Sequence, residues 1–101
     1  MLTSEAIAEI VKRVAADTLR GQPIAGVTQE PTQDAVGEAA VDIRIVLAGD
    51  GMITDGDAVG DTYVDVHRAL EVAGEERTVM ISFANENELA ELAELIEHAD
   101  P

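Results

Sequence analysis

The chain has 101 residues, 47% of them hydrophobic, and sets 21 Asp and Glu against 6 Lys and Arg for a formal charge of −15. That apolar content excludes a charged disordered tail, and a length near 100 residues suits one domain, residues 1–101, with a single core. One lysine and five scattered arginines exclude a nucleic-acid binder, whose affinity comes from cations on phosphates, and no apolar run reaches the roughly 18 residues of a membrane span.

With no cysteine, disulfides, thiolate metal sites and a Cys nucleophile are ruled out. Glu5 and Glu9 stand where a secretory leader would need positive charge, and the expected setting is cytoplasmic. Only Tyr63 and Phe83 are aromatic, so Ile, Val, Leu and Ala must fill the core.

Taken in order, Ser4 to Arg20 reads as a helix, because Ile7, Ile10, Val11 and Val14 recur at three- and four-residue steps. Thr3 or Ser4 is placed to cap it and Gly21 to stop it. Ile24 to Glu30 reads as an edge strand, weakened by Gly26 and closed by Pro31. Thr32 to Ala39, with Asp34 and Gly37, reads as a hairpin loop. In Ala40 to Ala48, Val41, Ile43, Ile45 and Leu47 fill one strand face, while Asp42 and Arg44 occupy the other.

Gly49 to Gly56 is a loop by its Gly-Asp steps. Beyond it, Val59, Tyr63, Val66 and Leu70 make a helical stripe ending at Gly74, although Thr62, Val64 and Val66 also alternate as a strand would. The helix accounts for more residues. Thr78 to Phe83 is a strand with Val79, Ile81 and Phe83 on one face. Asn85 to His98 is a helix striped by Leu89, Leu92, Ala93 and Ile96 and capped by Asn85 with Glu88.

The order α-β-β-α-β-α predicts an α+β two-layer sandwich, a three-stranded mixed sheet with helices on one face. The other face, with Val46 and Met80 among polar residues, is then open to a partner or to a homodimer contact.

No catalytic motif and no cofactor site emerges, and no enzyme is expected. Asp50, Asp55, Asp57 and Asp61 gather carboxylates suited to a hard divalent cation, but counting from Asp55 puts Val66 at the twelfth position, where a calcium loop requires Glu. His67, at the rim of the helical stripe, reads as a packing residue. The acidic field repels anionic lipids and nucleotides and attracts basic proteins. The expected function is therefore a small acidic protein-binding module, in the class of immunity proteins, antitoxins and inhibitors, that engages a basic partner. Its contact surface is expected where apolar and acidic residues coincide: Val64 and Val72 with Asp61, Asp65 and Glu71 on the second helix, or Val46 and Met80 on the sheet. The alternative is a domain from a salt-adapted acidic proteome, with a weak cation site in loop 50–61.

Overall fold

The computed structural model describes residues 1–53 and 55–98. Its elements run α1 (Ser4–Thr18), β1 (Ile24–Gln33), β2 (Ala39–Leu47), α2 (Gly56–Val72), β3 (Thr78–Asn85) and α3 (Glu86–His98). The sheet order is β1-β2-β3, with β1 antiparallel and β3 parallel to the central strand. A tight turn suffices for the first pairing, but a parallel neighbour needs a crossover, and α2 supplies it. The fold is the α+β arrangement that the element order predicts, with a mixed three-stranded sheet.

Strand alternation places the core. Val41, Ile43, Ile45 and Leu47 are buried along one face of β2, against Ile7, Val11, Ala15 and Leu19 near α1 and Ala58, Val66 and Leu70 of α2. Ile81 joins them from β3, whereas Val79 and Phe83 are only partly buried because β3 is an edge strand. β1 runs on through Pro31 to Gln33, and an edge position tolerates the missing N–H. The hairpin closes at Asp34, whose side chain accepts from the Val36 and Glu38 amides while Gly37 takes φ +84°.

Thr3 caps α1, accepting from the Ala6 amide. Its far end falls two residues short of the expected Arg20, at Thr18 with Leu19 as C-cap, and Arg20 already adopts the left-handed conformation at φ +54°, before Gly21. At the end of α2, Gly74 has φ +102°, its amide donates to Glu71 O, and the Glu75 amide donates to Leu70 O. These are the paired bonds of a Schellman stop, which glycine makes without steric cost.

The buried stripe of α2 is Ala58, Thr62, Val66 and Leu70, rotated from the expected Val59, Tyr63, Val66 and Leu70. Thr62 tolerates burial because its hydroxyl donates to Ala58 O at 2.7 Å and accepts from the Thr18 hydroxyl across the α1–α2 contact. Thr62→Val should cost about 1 to 2 kcal/mol, because Thr18 is left unpaired in the core. Adding Thr18→Val should restore most of that loss, as a double-mutant cycle in urea would read.

The expectation that α3 packs its stripe on the sheet is not met. Its first turn is anchored, with Glu88 N donating to Asn85 Oδ1 and Asn87 N to Gly49 O. Beyond it Leu92, Leu95 and Ile96 are 50%, 70% and 67% exposed. The radius of gyration is 14.4 Å, against about 13 Å for a compact chain of this length. No described helix is long and apolar enough to cross a membrane.

Candidate functional site

The acidic loop is shaped by its neighbours. Gln22 Nε2 donates to Met52 O and Asn85 Nδ2 to Gly51 O, while Glu86 accepts from the Gly49 amide at 2.8 Å. A Cβ on Gly51 would meet Ala48 O, Gln22 Nε2 and Leu47 Cβ at 3.1 Å each, so any larger residue here must push these neighbours back by a few tenths of an ångström. Asp55 caps α2 by accepting from the Asp57 and Ala58 amides, and its other oxygen takes Arg20 Nη1 at 3.3 Å. Asp61 lies 3.9 Å from Arg20 Nη2. Asp50 and Asp57 are exposed. Among the described residues no group of three acidic or histidine side chains could share a cation, so the structure does not bring Asp50, Asp55, Asp57 and Asp61 together.

At the carboxyl ends of the parallel strands β2 and β3 lies an open cavity of about 280 Å³, walled by Leu47, Ile53, Val59 and Phe83, with Glu88 at its margin. Open α/β sheets place ligand crevices at this end. Among the described residues its lining is mainly apolar with the single carboxylate of Glu88, a shape that can receive a small apolar group.

Tyr63 and His67 have a structural task on the exposed edge of β3. Tyr63 Oη donates to Ile81 O at 2.8 Å, and its ring meets Phe83 edge-on at a centroid distance of 6.1 Å. The His67 ring nitrogens lie 2.7 Å from Tyr63 O and 3.1 Å from Val79 O. A neutral imidazole has one N–H for these two acceptors. Both side chains occupy edge carbonyls that an incoming strand would need, which protects the edge from pairing.

On the outer side of α2, Val64 and Val72 are 54% and 83% exposed. Asp61 and Glu71 are exposed beside them and Asp65 is half-buried. The sheet face differs from expectation: Val46, with Gly26 and Ala84 as its row neighbours, is buried, and it lines a shallow depression together with the α3 residue Leu89. Met80 remains exposed on that face, beside Asp42 and in the same row as Glu30. The sheet therefore contributes little apolar contact surface.

Sequence periodicity assigned the α3 stripe Leu89, Leu92, Ala93 and Ile96 but not its exposure, and it left out Leu95. Leu92, Leu95 and Ile96 stand out from the body beside the exposed Glu88, Glu91 and Glu94. Among the described residues, ion pairs engage only the carboxylates of Asp55, Asp61 and Glu75. The acidity is not consumed within the fold. Comparison with protein-family models, curated proteins and solved structures gives no match.

Proposed function

We propose that the chain is a small acidic protein-binding module, of the class that immunity proteins, antitoxins and inhibitors form, and that its partner is a basic protein. The observation that supports this reading is the coincidence of exposed hydrophobes with carboxylates unpaired inside the fold: Val64 and Val72 on α2, Leu92, Leu95 and Ile96 on α3. Carboxylates speed the encounter with a cationic surface, and apolar side chains hold the complex once water is displaced. Either alone would be weaker evidence, since isolated surface hydrophobes are ordinary. A cytoplasmic setting belongs to the same proposal.

The test is affinity capture from the source cells with the whole chain as bait, then titration calorimetry with the purified partner at low and moderate salt. A basic partner whose association slows and weakens with salt is expected. Capture of only neutral or acidic proteins, or an affinity indifferent to salt, would overturn the proposal and favour salt adaptation as the origin of the charge.

A further inference from the structure

Resting on the reading of an acidic protein-binding module, we infer that α3 is the docking element: its Leu92, Leu95 and Ile96 ridge seats in an apolar groove of the partner whose rim carries Lys and Arg. Three observations bear on the occupant. The first turn of α3 is fixed to the body through Asn85, Glu86 and Asn87, while the following turns hold apolar side chains away from the core. The ridge is thus presented on a rigid base, and its helix need not be ordered on binding, which lowers the entropic cost of association.

Spacing sets the mode. Positions 92, 95 and 96, three and four residues apart, make one continuous stripe, continued toward the body by the half-buried Leu89. An amphipathic helix offering such anchors is read by a groove.

Charge then selects the groove. Residues 86–98 contain Glu86, Glu88, Glu91, Glu94 and Glu97 and no Lys or Arg. A second copy packed helix to helix would set five glutamates against five, and an anionic lipid surface would be repelled likewise. A basic rim answers this pattern. The outer face of α2 has the weaker claim, because Arg68 stands among its acidic residues one turn from Val64 and from Val72.

The inference can be tested on the whole folded chain without the natural partner, using a synthetic amphipathic helix of leucine and lysine, with leucine–glutamine and leucine–glutamate analogues as controls. Amide NMR of the labelled protein should show saturable shifts centred on α3 with the lysine peptide and none with the glutamate peptide. Leu92→Gln plus Leu95→Gln, both exposed and therefore compatible with folding, should weaken that binding by about tenfold or more. Glu91→Gln plus Glu94→Gln should weaken it less and reduce its salt dependence. The Val64→Asp plus Val72→Asp protein should bind the lysine peptide undiminished. Circular dichroism matching the parent verifies each variant.

Shifts centred on α2, lost in the Val64→Asp plus Val72→Asp protein, would overturn the role of α3 while leaving the proposed function standing. Equal binding of all three peptides would overturn the basic rim. Concentration-dependent α3 shifts without peptide would assign the ridge to a second copy, and broadening of α3 signals by phosphatidylcholine vesicles would assign it to a lipid surface; each overturns the inference.

Discussion

Replacing Ile43 with alanine is expected to cost about 3 to 5 kcal/mol, a large share of the roughly 5 to 15 kcal/mol that holds a domain of this size together. Ile43 is 0% exposed at the middle of the central strand, paired with Gln29 on one side and Ile81 on the other. Helices α1 and α2 both close over its face of the sheet. Truncation loses the transfer free energy of the missing atoms and leaves a cavity that two helices and two neighbouring strands cannot collapse together. The melting temperature should fall by roughly 12 °C or more. Met80→Ala, on the opposite face of the sheet and partly exposed, should stay within about 1 kcal/mol of the parent. Equal losses from the two variants, measured by urea titration, would mean that the sheet faces are not divided as described.

That contrast shows what the sequence makes legible. The alternation through Val41, Ile43, Ile45 and Leu47 assigns β2 and its buried face, because a strand central to the sheet commits every second side chain to one environment. The helical reading of 59–73 also holds, although its buried face is turned. Periodicity counts Thr62 as polar and Tyr63 as apolar, yet burial depends on partners: Thr62 finds Ala58 O and Thr18, while Tyr63 needs the β3 edge for its hydroxyl. The stripe on α3 misleads for a related reason. An apolar face reports that something should cover it, not that the covering lies in the same chain. Of the acidic loop, the sequence shows the carboxylates but not the Arg20 that sits against Asp55 and Asp61 from the end of another helix. Glu75 gave no signal at all, since Glu75-Glu76-Arg77 after a glycine has the look of an exposed charged turn.

Glu75 should nevertheless dominate the acid limb of the stability curve. Its side chain is inaccessible, with Arg77 Nη2 at 2.6 Å and Arg77 Nε at 3.0 Å, and it also accepts from the backbone amides of Arg77 and Leu2. Arg77 Nη2 continues to Leu2 O, and the Met1 ammonium reaches Gly74 O, so one carboxylate ties the start of the chain to the approach of β3. Hydrogen bonds from the Arg77 side chain outweigh the cost of burial and hold the carboxyl at about 2, below its ordinary 4.5. A lowered folded-state value means that the unfolded chain takes up the proton first. The contribution is therefore complete above pH 4.5 and is lost as pH falls toward 2, with a magnitude of on the order of 3 kcal/mol as an upper figure. Glu75→Gln removes it and sets an amide donor against a mostly buried guanidinium, so at neutral pH it should cost about 3 kcal/mol. As pH falls toward 2 the gap between parent and variant should narrow. Thermal melts of both proteins from pH 2 to 7 isolate this group in their difference, and a difference that stays constant across that range would show that Glu75 is not held ionised by Arg77.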